Sequence, residues 1–436
     1  MANKLPLPRV KPEEVGMSSE RLARLRPAMQ RFIDQKQVPN IVTLVAREGK
    51  IVHFEAQGHA DCETRRPATK DTIFRLYSNT KPITGVAVMI LCEEGLLNLN
   101  DPVSKYIPAF KNPQVVTWGV PGQNRRLTPN MSIIAPARRE ITIRDCLANT
   151  TGLATPFTAP PPIKIRFKKL IDESGWDITE SLDQPPRKSY RERVEAHARI
   201  PLSFEPGTEY LYHLGYPVIG VVIETITGKT LEEFYQEKIF QPLGMKDTSF
   251  YLEKSKLERF STSYEPTYEN GQWGMAVFDK AETSEKVTGP KVHFGAGGDL
   301  GGVLSTPADY AYFGQMLLNN GEFNGVRILA RKSVELLTSD QTGGIPTDEG
   351  PGYGFGLGLE VYKGGSPFPV MLSPGSYRKG GACGTIFFAD PKEKLLAICF
   401  TQKMMSNALV RGIDAPTAPD HSYLEEFERL VYQALL

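Results

Sequence analysis

The chain has 436 residues, 40% of them hydrophobic, and a formal net charge of +1. This length allows a large core and predicts two structural lobes, or one domain with a large insertion. The near-neutral charge gives no electrostatic reason to expect nucleic acid or an anionic membrane as partner. No run reaches the roughly 18 apolar residues of a membrane span, and residues 1–10 lack the apolar core of a signal peptide. We therefore expect a cytoplasmic protein that has no membrane partner.

Cysteine and histidine usage argues against metal or redox chemistry. The five cysteines are scattered without a C-x-x-C pair, and the six histidines show no H-E-x-x-H or other ligand spacing. Free, mostly buried thiols are the default for such cysteines. We expect no metal site and no cofactor.

The first hundred residues predict two helices around a β-hairpin. Residues 12–36 have the spacing of an amphipathic helix, and the apolar runs 41–46 and 51–56 flank a turn at Gly49. A buried helix then follows residue 78, because apolar residues recur there at helical spacing up to a stop at Gly95.

Prolines break up the region that follows. They interrupt residues 111–140 and 155–200, with a short helix under a Thr142 cap between the two segments. A disordered linker and a basic patch are alternatives for the second segment. Its interspersed apolar residues favour ordered loops or a lid over a site.

In the rest of the chain, predicted helices alternate with predicted strands. A turn and short strand are predicted at 206–212, helices at 218–223, 231–239, 310–319 and 422–434, and strands at 354–361, 384–389 and 395–400. Strands at both ends and helices between them predict an antiparallel sheet formed by both termini around a helical lobe. The predicted lobes comprise residues 1–95 with 290–436, and the mostly helical 96–289.

Ser78 and Lys81 stand three residues apart at the start of the helix after residue 78, so their side chains share one face. Pro82 is tolerated only in the first turn, which places the helix start close to Ser78. The positive end of the helix dipole and a nearby amine suit a nucleophile. On local grounds a plain capping serine is the alternative, because about one Ser-x-x-Lys match arises by chance. A second match, Ser376–Lys379, precedes glycines and a strand-like run.

The stretch Ser78-Asn79-Thr80-Lys81-Pro82-Ile83-Thr84 resembles the nucleophile turn of the serine β-lactamase and penicillin-binding-protein superfamily. It is most similar to class C β-lactamases and family VIII carboxylesterases. Five further stretches match in order, at 94–103, 141–153, 204–212, 305–318 and 377–391. The resemblance implies an α+β, β-lactamase-like fold, in which an antiparallel sheet flanked by helices and a mostly helical lobe enclose the active site. It also implies that Ser78 is the catalytic nucleophile.

The second motif of the superfamily, Tyr-x-Asn, falls on Tyr212-His213-Leu214. The resemblance implies that Tyr212 shuttles protons beside Lys81, and which of the two is the base stays open. Leu214 stands in the substrate-binding position where β-lactamases use an asparagine to hold an amide, and this favours esters. We interpret His213 as structural, because it alternates away from Tyr212 on an extended segment.

The third motif falls on Lys379-Gly380-Gly381, a substrate-binding strand in the superfamily. The glycines let a substrate approach the strand closely, and the lysine can hold a substrate carboxylate. Ala382 takes the position whose N–H, with that of Ser78, forms the oxyanion hole. A lysine here is typical of β-lactamases, so the second and third motifs point to different substrates.

The resemblance as a whole implies a serine carboxylesterase that acts on small-molecule esters through an acyl-serine. A β-lactamase or D-amino-acid peptidase, an acyltransferase to an alcohol and a catalytically silent ligand-binding protein are the alternatives. No G-x-S-x-G elbow is present, so the α/β-hydrolase arrangement is not supported. Acyl and alcohol preference, the lid role of 155–200 and the oligomeric state stay open.

Overall fold

An eight-stranded antiparallel sheet built from both ends of the chain organises the fold. The structure is a computed structural model that describes residues 7–117, 133–155, 159–160, 163–166, 168, 189–269, 272–288, 296, 302–404 and 422–436. Its strands are β1 Asn40–Arg47, β2 Lys50–Asp61, β3 Arg66–Pro67, β4 Phe74–Arg75, β5 Gln114–Thr117, β6 Ile133–Pro136, β7 Ser263–Glu269, β8 Gln272–Asp279, β9 Leu304–Ser305, β10 Glu322–Phe323, β11 Val326–Arg327, β12 Tyr353–Phe355, β13 Glu360–Tyr362, β14 Tyr377–Gly381, β15 Thr385–Asp390 and β16 Leu395–Phe400. The large sheet has the order β12-β13-β14-β15-β16-β1-β2-β3, so β1 from the first hundred residues pairs with β16 near the C-terminus. This confirms the predicted sheet and its antiparallel character.

Helices cover both faces of the large sheet. The α-helices are Ser19–Leu22, Leu25–Asp34, Thr80–Glu93, Ile143–Ala148, Tyr190–His197, Gly215–Thr227, Leu231–Tyr235, Gln241–Leu243, Glu285–Thr288, Pro307–Leu318, Arg331–Leu337 and Ser422–Gln433. Successive side chains of β1 alternate between two apolar clusters: Val42 and Leu44 belong to the larger, Ile41 and Val45 to the smaller. A strand buried on both faces in this way explains its continuous apolar run.

The helix Thr80–Glu93 lies inside the larger cluster, and twelve of its residues are buried. Pro82 sits in its first turn, where no intrahelical donor is lost. Gly95 follows its C-terminus with φ +73°, as the predicted stop requires. The sequence therefore predicted both ends of this helix correctly.

The predicted strand 354–361 is wrong as a single strand, because the structure has two short ones, β12 and β13. Gly358 turns the chain between them with φ +108°. A Cβ on Gly358 would lie 2.5 Å from the carbonyl oxygen of Lys81, so the turn packs directly on the helix Thr80–Glu93. The glycines in this stretch thus serve a close backbone approach.

Three other predictions need correction. Residues 208–212 form no strand, because Leu211 donates its N–H to the carbonyl of Asn149 in a loop, at 2.8 Å. The helix predicted from 310 begins at Pro307, since Thr306 caps it by accepting the N–H of Asp309. Residues 12–36 form a 3-10 turn and two helices, and the β7–β8 hairpin was not predicted.

Much of the two Pro-rich insertions lies outside the described residues, including 118–132 and most of 156–188. The predicted lid at 155–200 is therefore still a prediction. Within the described part of the chain, no helix combines the length and apolarity needed to cross a bilayer.

Candidate active site

Ser78 lies in a strained turn that leads into the buried helix Thr80–Glu93. Residues Tyr77–Asn79 form one turn of 3-10 helix, and the side chain of Ser78 is half-buried. Tyr77 has φ +47°, a left-handed conformation that costs a non-glycine residue about 1–2 kcal/mol. Such strain at a helix N-terminus is typical of a turn that presents a functional side chain.

Hydrogen bonds from three directions hold this turn. The side-chain amide of Asn79 donates to the carbonyl and hydroxyl oxygens of Thr385, at 3.1 and 2.9 Å. The hydroxyl of Tyr310 donates to the carbonyl of Asn79 at 2.8 Å. The N–H of Leu76 donates to the carbonyl of Val303 at 2.9 Å. The position of Ser78 is therefore set by the large sheet and by two other elements of the fold.

Lys81 is the polar neighbour of Ser78, as the helical spacing predicted. Its side chain is 0% exposed, and its Nζ donates to the Oγ of Ser78 at 3.0 Å. The same nitrogen lies 4.6 Å from the ring centroid of Tyr212 and 5.1 Å from that of Tyr216. Aromatic faces at these distances stabilise an ammonium that has left water. The lysine is thus held against the Ser78 hydroxyl with little freedom to move.

Tyr212 reaches the site on a segment that is tied to the loop after the helix Ile143–Ala148. Asn149 ends this helix with φ +59°. Its carbonyl accepts the N–H of Leu211 at 2.8 Å, and its Oδ1 accepts the N–H of His213 at 3.1 Å. These bonds lie on both sides of Tyr212 and fix its backbone.

The environment of Tyr212 favours its phenolate. Burial alone would raise the pKa of this side chain, but the positive charges of Lys379 and Lys81 act against burial. Hydrogen bonds with Ser78 and Lys81 act in the same direction, so the pKa of Tyr212 lies below its ordinary value. Tyr212 is therefore more readily deprotonated than an ordinary tyrosine, and only its phenolate can accept a proton from a neighbouring hydroxyl.

The two residues after Tyr212 have other surroundings. His213 has φ +118°, and its buried Nδ1 has no hydrogen-bond partner among the described residues. Burial, with lesser effects of Lys81 and His197, lowers the pKa of His213 to about 3, so its ring is neutral. Leu214 is 9% exposed within the larger apolar cluster, where it offers hydrocarbon in place of an amide.

Lys379 is paired within the protein. Its side chain is nearly buried, and its ammonium hydrogen-bonds the carboxylate of Glu360, which also accepts from the Nε of Arg378 at 3.1 Å. Burial would lower the pKa of Lys379, but the charges of Glu360, Tyr212 and Glu349, together with the hydrogen bond to Glu360, outweigh burial and hold this pKa above its ordinary value. The Nζ lies 4.9 Å from the ring centroid of Tyr212 and 5.6 Å from that of Phe355.

The strand β14 passes directly beside the nucleophile turn. A Cβ on Gly381 would lie 2.2 Å from the carbonyl oxygen of Leu76, a distance that only glycine permits. Ala382 follows at once, half-buried, in the turn that joins β14 to β15. Gly380 has more room, since its nearest neighbour would be the carbonyl oxygen of Thr385 at 3.8 Å.

The structure thus brings Ser78, Lys81, Tyr212 and Lys379 together, with the strand that carries the glycines alongside. Sequence reasoning missed Glu360 and Asn149. A lone acidic residue in the apolar run 357–361 was a usable signal for a buried ion pair, and asparagine after a short helix was a signal for a left-handed cap. No group of His, Cys, Asp and Glu among the described residues has the arrangement of a metal site.

Comparison with known proteins agrees with this fold. The chain belongs to the Beta-lactamase family, whose sequence model matches residues 25–415. It is a hydrolase of the serine β-lactamase and penicillin-binding-protein superfamily, and this confirms the resemblance read from the motifs.

Three relatives align over most of their length. Protein Rv1367c of Mycobacterium tuberculosis is 30% identical, over 86% of this chain and 88% of that protein. Esterase EstB of Burkholderia gladioli is 27% identical, over 90% and 92%. A putative D-alanyl-D-alanine carboxypeptidase of Salmonella typhi is 30% identical, over 87% and 82%.

Solved structures share the fold. EstCE1, described as a hydrolase with promiscuous acyltransferase activity, superposes with a TM-score of 0.71 at 24% identity, over 94% of this chain and 98% of that one. Simvastatin synthase LovD from Aspergillus terreus gives a TM-score of 0.72 at 21% identity, over 95% and 98%. Both solved structures share the fold of this protein over almost its entire chain.

Proposed function

We propose that this protein is a serine carboxylesterase that cleaves small carboxylic esters through an acyl group on Ser78. The observation that carries the proposal is the contact of the Ser78 hydroxyl with the buried ammonium of Lys81, next to Tyr212 with its lowered pKa. A nucleophile, a proton acceptor and a fixed positive charge in one place are the parts that acyl transfer requires. The family likeness supports the same chemistry.

Acylation begins with attack of the Ser78 Oγ on the ester carbonyl. Tyr212 accepts the serine proton as phenolate, while Lys81 stays charged and donates a hydrogen bond to the oxygen that loses it. The backbone N–H groups of Ser78 and Ala382 receive the carbonyl oxygen, each contributing about 3 kcal/mol to the transition state. Tyr212 then passes the proton to the departing alkoxide, and the acyl group remains on Ser78.

Deacylation repeats these steps with water in place of the serine. Tyr212 takes a proton from the water, whose oxygen adds to the acyl carbonyl, and the Ser78 oxygen recovers its proton as the carboxylic acid leaves. In this scheme Tyr212 is the base, and Lys81 lowers the energy of each anionic state. The pKa of Tyr212 supports this choice between the two candidates.

Leu214 favours esters over amides. An amide substrate presents an N–H and a carbonyl that gain from a polar side chain, and Leu214 offers neither a donor nor an acceptor. Gly380 and Gly381 are proposed to line the acyl group, and Lys379 to lie beside it. The relative named Esterase EstB adds support to the ester class.

Hydrolysis of amides is the second candidate. It is favoured by Lys379, since lysine in the third motif is typical of β-lactamases, and by the relative named a putative D-alanyl-D-alanine carboxypeptidase. Both candidates use the same Ser78 chemistry, so only the substrate separates them.

A paired assay tests the proposal. The purified protein is given a short-chain p-nitrophenyl ester and, separately, a chromogenic cephalosporin. We expect rapid ester turnover and slow or no cephalosporin turnover, because Leu214 cannot hold the amide. Faster cephalosporin turnover would overturn the esterase assignment.

Two serine variants locate the reaction. Ser78→Ala is expected to abolish ester turnover, whereas the matched control Ser376→Ala, in the other Ser-x-x-Lys match, retains it. A phosphonate inhibitor should add its mass to the peptide that contains Ser78. Ester turnover that survives Ser78→Ala would refute the site.

A further inference from the structure

We propose that this active site selects esters whose acyl group carries no carboxylate, because Glu360 already occupies the ammonium of Lys379. The inference rests on the proposed esterase function and deepens it by naming the substrate class. Lys379 is the residue that a carboxylate-bearing substrate would be expected to use. In this structure the ammonium of Lys379 instead binds the carboxylate of Glu360 from the same chain.

The Lys379–Glu360 pair is enclosed by the sheet. Glu360 lies on β13 directly opposite Arg378 on β14, and Lys379 is the next residue along β14. The side chains of Lys379 and Glu360 are 6% and 7% exposed. A substrate carboxylate bound to Lys379 would compete with Glu360 for the same ammonium and leave two buried carboxylates to share one positive charge. Such an arrangement is unfavourable, since a buried charge needs a counter-charge.

Next to the pair, among the residues that the structure describes, Arg378 does not provide a spare cation. Arg378 donates to Glu360 and also to Glu349, at 3.1 and 2.9 Å, and lies 3.7 Å from Glu428. Two basic side chains therefore face three glutamates. Burial and then the charge of Glu360 raise the pKa of Glu349, in keeping with the excess of carboxylates over cations here.

Asp348 is a further acidic residue, close to the aromatic side chains of Tyr210 and Phe355 beside the site. Its charge and that of Glu360 both act on Tyr210, whose ring centroid lies 5.8 Å from that of Phe355. The Phe355 ring in turn contacts Lys379 and lies 6.4 Å from the Tyr212 ring. An apolar acyl chain can pack against these rings. A carboxylate in the same place would face Asp348 and Glu360.

Glu360 is thus a specificity-determining residue that acts through Lys379. The ammonium keeps its effect on Tyr212, whose ring it faces at 4.9 Å, but its charge is already compensated by the hydrogen-bonded carboxylate of Glu360. Lys379 therefore lowers the pKa of Tyr212 without binding an anionic substrate.

The test compares two esters that differ only in charge, p-nitrophenyl valerate and mono-p-nitrophenyl glutarate, in which a carboxylate replaces the terminal methyl group. For the wild type we expect kcat/KM to favour the valerate by at least tenfold. Glu360→Gln leaves the Lys379 charge uncompensated and should move the ratio at least tenfold toward the glutarate. Glu360→Asp, which keeps the charge, should restore preference for the valerate.

Glu428→Gln is the matched control, because it removes a carboxylate near Arg378 and leaves the Lys379–Glu360 pair intact. Its ratio should stay within twofold of the wild type. An unchanged ratio in folded Glu360→Gln would overturn the proposal. If that variant does not fold, the wild-type ratio still decides, since equal or faster glutarate turnover contradicts the inference.

A binding pair separates failure of this inference from failure of the esterase proposal. Butylboronic acid and 3-carboxypropylboronic acid mimic the two acyl chains and need only a nucleophilic Ser78 for reversible addition to boron. Calorimetry should show at least tenfold tighter binding of butylboronic acid to the wild type. If the protein binds butylboronic acid selectively but hydrolyses no ester, the esterase assignment is refuted and the selection against carboxylates is supported. Equal binding would refute that selection.

Discussion

The backbone of Gly381 lies so close to the carbonyl oxygen of Leu76 that a Cβ on Gly381 would stand 2.2 Å from it. This contact joins β14 to the turn that carries Ser78. Because both partners are backbone, no side-chain rotation can relieve an added methyl group. The distance between the turn that carries Ser78 and strand β14 is therefore set by the absence of one side chain.

Gly381→Ala is expected to lower kcat/KM by about 100-fold, because the strand must retreat by the order of 1 Å. Gly380→Ala is the matched control, since its Cβ would meet nothing closer than 3.8 Å. Ester hydrolysis and thermal unfolding of both variants provide the measurement. Equal activity in the two variants would show that the close contact has no catalytic consequence.

Lys81→Met should lower kcat by about 10²–10⁴-fold, because the hydrogen bond to Ser78 and the charge beside Tyr212 are both lost. The fold should keep or gain stability, since a buried charge is replaced by a similar apolar volume. Lys332→Met, at a side chain that is 75% exposed, is the control for removing a lysine. Single-turnover kinetics and urea unfolding test both statements. A Lys81→Met enzyme of normal activity would contradict the assigned role.

The pH profile should report Tyr212. As phenolate it is the active form, so kcat/KM rises with pH through a pKa below the ordinary tyrosine value and stays high above it. Lys379→Met removes the largest charge that lowers this pKa, so the rise should move to higher pH. Tyr212→Phe should lose the rise along with about 10²–10⁴-fold of activity. If the pH profile of kcat/KM is the same in Lys379→Met and wild type, the rise reflects the titration of a group other than Tyr212.

Asn149 combines a left-handed backbone with a side-chain bond, and two substitutions separate these contributions. Asn149→Gly keeps φ +59° without strain but loses the bond to the His213 N–H. Asn149→Ala loses both, and its free energy of unfolding should fall by about 1–2 kcal/mol more. Both variants should show lower kcat, because the segment that carries Tyr212 is released. Urea titration and ester kinetics measure these effects, and unchanged kcat in both would show that Tyr212 is held by other contacts.

Local contacts explain which parts of the structure were predictable. The helix after Ser78, its Gly95 stop, the first hairpin and the Thr142 cap depend on residues within a few positions of each other. The strands β12 and β13 were predicted as one, because the turn at Gly358 is required by contact with Lys81, far away in the chain. The segment 208–212 was misread as a strand because its hydrogen-bond partner is a distant loop.

The sequence by itself determined that Ser78 and Lys81 meet, because three residues along a helix bring two side chains onto one face. The motifs also indicated which tyrosine and which strand belong with them. Only the tertiary structure decided the charge state of the site. Glu360 and Lys379 are 19 residues apart on neighbouring strands, and their pairing follows from sheet register rather than from any local pattern. Register depends on the whole fold. From the sequence alone, Lys379 was expected to bind a substrate carboxylate, but in the structure it already binds the carboxylate of Glu360.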